Sequence, residues 1–153
     1  MFSTHPERVN LLAVARRHAA DPAAWPVTPR FDPVERWYSR IAAADDHEVW
    51  LLTWLPGQHT DLHDHGGAFG GFTVVSGTLT EETVSRGTLR PRLLAPGAGR
   101  EFGPRYVHRV SNNGFEPAVS VHCYGPALTS MTRYDLTDGR LRIAEVARAG
   151  IAW

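Results

Sequence analysis

GQHTDLHDHGGAFGGFTVVSG, residues 57–77, is the stretch that decides the fold. At its centre stands His63-Asp64-His65. On a strand, alternate side chains share a face, so both imidazoles can turn toward one ion. Glycines punctuate the stretch. Five residues separate Gly57 from His63, four separate His65 from Gly70, and six separate Gly70 from Gly77. Further on, Gly97 lies eleven residues before His108, and Asn112 lies four after it. His108, on a later strand, can supply a third imidazole from across a barrel. Three imidazoles on one face suit a first-row transition metal and leave coordination positions open for chemistry. Imidazole is unselective, so zinc, nickel and manganese compete with iron on this ground alone.

The flanking sequence alternates short β segments with turns. Residues 48–55 are rich in Val, Trp, Leu and Thr. Residues 72–75 and 78–84 flank Ser76-Gly77, which reads as a tight turn. Strands are further expected at 106–110, 118–124, 131–136 and 140–146, with Asp138-Gly139 a strong hairpin signal between the last two. Many short strands at regular spacing favour a sandwich or barrel.

The N-terminal part differs. Residues 6–20 are rich in Ala and Arg, with Val9, Leu12 and Ala13 on one face, and read as an amphipathic helix opened by Pro6 and Glu7. A connector with four prolines, 21–33, follows. Asp32 and Glu35 could cap a second helix, yet residues 37–41 suit a strand equally well. The expected organisation is one domain: helix and connector over 1–33, then a β domain over 34–153.

Composition narrows the function classes. The 153 residues suffice for one real core. Sixteen basic residues balance sixteen acidic ones, so no basic field exists to gather nucleic acid or anionic lipid. Cys123 is the single cysteine, which rules out an intrachain disulfide and fits a reducing compartment. Arg16, Arg17 and His18 interrupt the first apolar stretch, and no segment approaches the roughly 20 apolar residues of a spanning helix. The expectation is a cytoplasmic monomer without nucleic-acid or membrane partners. His5, His18, His47 and His59 read as exposed, and Cys123 as a small buried hydrophobe.

The two glycine-spaced histidine segments resemble the paired motifs of the cupin superfamily. Pro104 stands one place off the usual proline of the second motif, and Gly70 stands where a glutamate ligand is usual. The resemblance implies a mainly β fold, a small β-barrel or jelly roll, with a short N-terminal helix. With Gly70 in place of that glutamate, three neutral imidazoles leave a divalent ion its full charge. Such an ion favours an anionic ligand such as a thiolate.

Within the cupins the chain is similar to the cysteine dioxygenase type I family, over about residues 31–142. Three segments carry the similarity: His63-Asp64-His65, His108-Arg109-Val110-Ser111-Asn112, and Ser120-Val121-His122-Cys123-Tyr124. The resemblance implies Fe(2+) on His63, His65 and His108, and oxidation of L-cysteine by dioxygen to cysteine sulfinic acid. It implies a hydrogen-bonded Ser120-His122-Tyr124 chain reaching the substrate. It also implies that Arg40, with Tyr38 beside it, meets the substrate carboxylate, a task suited to a guanidinium fork. Tyr124-Gly125-Pro126 resembles a family segment with a cis bond before proline. Mammalian-type relatives carry at the Gly70 position a cysteine crosslinked to the tyrosine; glycine cannot form that bond. Alternative readings are a 3-mercaptopropionate dioxygenase, whose relatives tend to carry glutamine in place of the arginine, and a non-catalytic metal-binding cupin. Cupin isomerases usually keep the glutamate that Gly70 replaces.

Overall fold

The computed structural model describes residues 8–148. Helix α1 (Leu11–Ala19) begins where Asn10 accepts the Ala13 amide on its side chain at 2.9 Å. Arg8 and Val9 are not helical, and Pro6 and Glu7 lie outside the described residues. A single 3-10 turn, Pro22–Ala24, interrupts the proline-rich connector.

Among the described residues, eleven strands follow. They are β1 (Tyr38–Ala43), β2 (Glu48–Trp54), β3 (Leu62–His63), β4 (Phe69–Ser76), β5 (Leu79–Ser85), β6 (Thr88–Leu94), β7 (Gly99–Phe102), β8 (His108–Ser111), β9 (Ala118–Gly125), β10 (Ser130–Thr137) and β11 (Arg140–Arg148). They form two antiparallel sheets, ordered β1-β2-β9-β4-β7 and β11-β10-β3-β8-β5-β6. The ambiguous segment after the connector resolves as strand β1. Asp32 caps only a bend there, accepting the Val34 amide at 2.8 Å.

Ser76-Gly77 does not close a hairpin. β4 belongs to the first sheet and β5 to the second, so the chain crosses between sheets at this corner. Gly77 takes φ +74, and a Cβ there would lie 2.5 Å from the Pro117 carbonyl oxygen, so both conformation and space require glycine. The hairpin lies further on, at Arg86-Gly87, where both residues have positive φ and join β5 to β6. Asp138-Gly139 behaves as expected, with φ of 53 and 72 and Thr137 paired to Arg140.

Alternation on β2 and β9 builds two cores. Leu52 and Trp54 point between the sheets, where they meet Phe72, Leu79, Leu94 and Val110. Val49, Leu51, Val121 and Cys123 point outward and are covered by Leu11, Val14 and Ala15 of α1. Each such aliphatic side chain contributes about 1.5–3 kcal/mol on burial. The helix approaches so closely that a Cβ on Gly71 would lie 2.6 Å from the Leu12 amide nitrogen. Cys123 is fully buried, as expected, and burial pushes its thiol up to about 12. Among the described residues no helix is long and apolar enough to cross a membrane.

Candidate metal centre and substrate pocket

The pairing of β3 with β8 sets His63 directly opposite His108. His65 lies two residues further on, past the end of β3, so its direction comes from the turn rather than from strand alternation. One ring nitrogen from each of the three histidines lies within 4.8 Å of the others, and all three side chains are buried. His63 Nδ1 donates to the Asp61 carbonyl at 2.8 Å, and His108 Nδ1 donates to Glu81 Oε2 at 2.8 Å. Both acceptors lack a proton, so Nδ1 must carry the hydrogen, and each Nε2 lone pair stays free. Neither ring nitrogen of His65 has a hydrogen-bond partner among the described residues. A buried polar atom left in that state costs about 1–3 kcal/mol. A cation bound between the three rings would satisfy one of the two His65 ring nitrogens, so the donor set fits a metal.

Packing holds the rings in place. His65 stacks on Phe102 and on Tyr124, with centroids 4.6 and 5.1 Å away. Gly70 pairs with Phe102 on one side and with Tyr124 on the other. A Cβ at this position would collide with the Phe102 ring, at 2.3 Å. Glycine therefore lets the Phe102 ring sit where it does, and any larger residue would displace that ring. Asp64 accepts from the Gly66 and Thr132 amides at 3.0 and 3.1 Å and from the Tyr134 hydroxyl at 2.6 Å, which ties the histidine segment to β10.

Burial, the dominant cause, lowers His63 and His65 well below the usual histidine range; His108 lowers His63 further, and His63 and His108 lower His65 further. His122 is depressed to about 3, again chiefly by burial and then by His108 and Arg36. All three are neutral at neutral pH, the form a metal ligand or hydrogen-bond relay needs. In the unfolded chain they would protonate near 6.5. Their folded pKa values lie lower, so the unfolded state binds more protons as pH falls. The metal-free protein should therefore lose stability from pH 6.5 downward, and for His122 the loss continues toward about 3. The slope is up to about 1.4 kcal/mol per pH unit per histidine. Chemical denaturation at pH 7.5 and pH 5 checks this. An unchanged midpoint would mean that the histidines are charged in the fold.

Ser120, His122 and Tyr124 share the inner face of β9 and are buried. Trp54 Nε1 donates to Ser120 Oγ at 2.8 Å, Ser120 Oγ lies 2.7 Å from His122 Nε2, and His122 Nδ1 lies 3.4 Å from the Tyr124 hydroxyl. Burial raises the Tyr124 phenol well above its ordinary value, so it holds its proton. The Gly125-Pro126 bond that follows is cis.

A cavity of about 80 Å3 opens onto His63, His108, His122 and Tyr124. Its space suits a molecule of a few heavy atoms. Leu52, Val110 and Met131 form apolar wall, and Arg36 faces it with a guanidinium. The Arg36 guanidinium lies 5.2 Å from the Trp54 ring centroid, and its buried Nη1 has no hydrogen-bond partner among the described residues. Burial lowers this group to about 10, which leaves it cationic at neutral pH.

Arg40, expected at the substrate, is placed elsewhere. It is exposed, lies outside the cavity lining, and its guanidinium stands 3.8 Å from Glu48. Arg36 and Arg40 share one face of the chain, because Tyr38 pairs with Leu52 and Arg40 with Trp50, which carries Arg36 toward Trp54. Arg36 lies two residues before the start of β1 and Arg40 within it, four positions apart along extended chain, roughly 13 Å. Of these two, Arg36 reaches the cavity, where Arg133 of β10 also forms part of the lining. Tyr38, also expected at the substrate, packs on Trp50 with centroids 5.9 Å apart and is not part of the cavity lining. His59 is exposed as expected and sits at the mouth, whereas His18 and His47 are half-buried. His5 lies outside the described residues. Sequence reading missed Arg36, Phe102 and Glu81. For Glu81 a signal existed: Glu81-Glu82 on an alternating strand must turn one carboxylate inward.

Fold and donor set together define a cupin with a three-histidine metal-binding site. Solved structures support the fold. A Thermus thermophilus protein is 22% identical with a TM-score of 0.58, covering 65% of this chain and 90% of that one. A Klebsiella pneumoniae protein with a double-stranded β-helix domain is 24% identical with a TM-score of 0.56, covering 76% and 90%. The chain belongs to the cysteine dioxygenase type I family, whose model matches residues 5–137. It is 25% identical to cysteine dioxygenase type 1 of Bos taurus over 138 residues, which cover 83% of this chain and 69% of that protein. The corresponding Homo sapiens protein is 23% identical over the same shares.

Proposed function

We propose that the protein is an iron-dependent thiol dioxygenase that converts L-cysteine and dioxygen to cysteine sulfinic acid. The observation that carries this reading is one small cavity where two histidines of the three-histidine cluster, His63 and His108, meet a buried guanidinium and a phenol. His63, His65 and His108 would hold ferrous iron, which when bound supplies affinity for a thiolate and the chemistry of dioxygen. Arg36 takes the substrate carboxylate, and its position over Trp54 limits its freedom. The thiol end of a molecule so held points toward the histidines, and the apolar wall keeps water out.

The chain behind Tyr124 sets a proton direction. Trp54 occupies one lone pair of Ser120 Oγ, and the Ser120 hydroxyl donates to His122 Nε2. His122 then carries its hydrogen on Nδ1, facing the Tyr124 oxygen. The Tyr124 proton is thereby directed into the cavity, toward the substrate. The helix over 11–19 belongs with the barrel as one folding unit in this reading, since it covers the outer core.

The test is anaerobic loading with ferrous iron, then oxygen, with L-cysteine and 3-mercaptopropionate in parallel. Oxygen uptake and sulfinate are measured together. Cysteine sulfinate matched to oxygen uptake is the expected result. Preference for 3-mercaptopropionate would overturn the substrate, and no sulfinate from either with iron bound would leave a binding cupin. Tyr124→Phe should lower kcat by about 10²-fold or more while iron stays bound, in keeping with loss of a positioned proton donor.

A further inference from the structure

The three histidines differ in what stands behind them. His63 donates to a peptide carbonyl, His65 has no hydrogen-bond partner among the described residues, and His108 donates to a buried carboxylate, Glu81. The Glu81 side chain is 1% exposed. Its Oε2 takes His108 at 2.8 Å and its Oε1 takes Arg100 Nε at 2.9 Å. The nearby Tyr106 phenol and the His108 and Arg100 contacts together help keep it a carboxylate. Strand alternation turns Glu82 to the other side, where Arg109 holds it. Among the described residues no carboxylate joins the three histidines as a ligand. Glu81 is the negative group one hydrogen bond removed from them.

We infer that Glu81 is a charge-donating positioning residue for the metal, acting through His108, and that Arg100 sets how much of its charge reaches the ring. The inference rests on the three-histidine metal reading. A carboxylate polarises an imidazole N–H more than a carbonyl does, which makes the opposite nitrogen a stronger donor. His108 is therefore the electron-rich member of the set. Arg100 is partly solvent-exposed and draws Glu81 away from His108. Glu81 and Arg100 thus oppose each other on a single atom, His108 Nε2.

Opposition gives the test two signs. Glu81→Gln keeps an oxygen for the His108 N–H but removes the charge. Ferrous-ion affinity, measured by anaerobic titration, should fall about 10–100-fold. The ferric/ferrous midpoint should rise, because the more highly charged ion loses more; each tenfold of differential affinity is about 59 mV for one electron. Arg100→Met should move the midpoint downward. Glu82→Gln, outside the barrel, should leave affinity and midpoint unchanged. Structural damage would not push the first two variants in opposite directions. Midpoints that move the same way, or not at all, overturn the inference. If Glu81→Gln does not fold, the Arg100→Met shift still decides. Wild-type protein that fails to bind ferrous iron would overturn the metal reading itself, a result distinct from iron binding that is indifferent to Glu81.

Discussion

His108→Ala should abolish stoichiometric ferrous-iron binding and, with it, all sulfinate formation. The substitution removes one of three ligands and also strips Glu81 of its inward partner. Loss of an outer partner alone costs a metal site about 10–100-fold in affinity, so loss of a ligand should exceed that. The metal-free variant should also be less stable. A buried carboxylate deprived of its partner costs up to about 3–5 kcal/mol, and here Arg100 retains part of it. His59→Ala is the matched control. That residue is exposed at the cavity mouth and sits outside the three-histidine cluster, so full iron occupancy should persist. Retained stoichiometric iron in His108→Ala, measured by metal analysis after anaerobic desalting, would overturn the ligand set.

Arg36→Met should cut kcat/KM for L-cysteine by roughly 30- to 5,000-fold, the equivalent of the 2–5 kcal/mol at stake in a buried charge-assisted pair. Most of the loss should fall on KM, because the contact holds the carboxylate before and during reaction. Cysteamine, a thiol without a carboxylate, separates this role from general damage. Its turnover should differ little between wild type and Arg36→Met. Arg40→Met supplies the opposite expectation. Arg40 is exposed and 3.8 Å from Glu48, so kcat/KM should stay within about twofold and stability within roughly 0.5 kcal/mol. Glu48 keeps its contact with the Leu128 amide, at 2.9 Å, without Arg40. Equal losses in the two variants would show that the carboxylate is not held by Arg36.

Several neighbouring features explain why the site can be this small. Gly70 leaves room for Phe102, and Phe102 with Tyr124 brackets His65. The outer core under α1 is separate from the cavity, so Cys123 is kept away from the metal and from substrate. Its alternation against Tyr124 along β9 accounts for that separation.

Local chemistry made much of this legible from the sequence. Asp138-Gly139 needs two positive φ angles, and few other residue pairs tolerate them, so the hairpin could be read directly. The spacing of His63, His65 and His108 among glycines marked the metal set, and the alternation of Ser120, His122 and Tyr124 marked their shared face. Tertiary structure alone decided the rest. Arg36, just before β1, and Arg40, within it, have the same parity along the extended chain, and parity says which side a residue faces, not which end of the segment reaches the mouth. Ser76-Gly77 carries turn chemistry that serves a hairpin or a corner between sheets, and only the crowding at Pro117 and the pairing of β5 with β6 select the corner. Glu81 lies 27 positions from His108, and nothing local joins them. Their contact exists because β5 pairs with β8, and such long-range pairing is settled by the packing of the whole barrel.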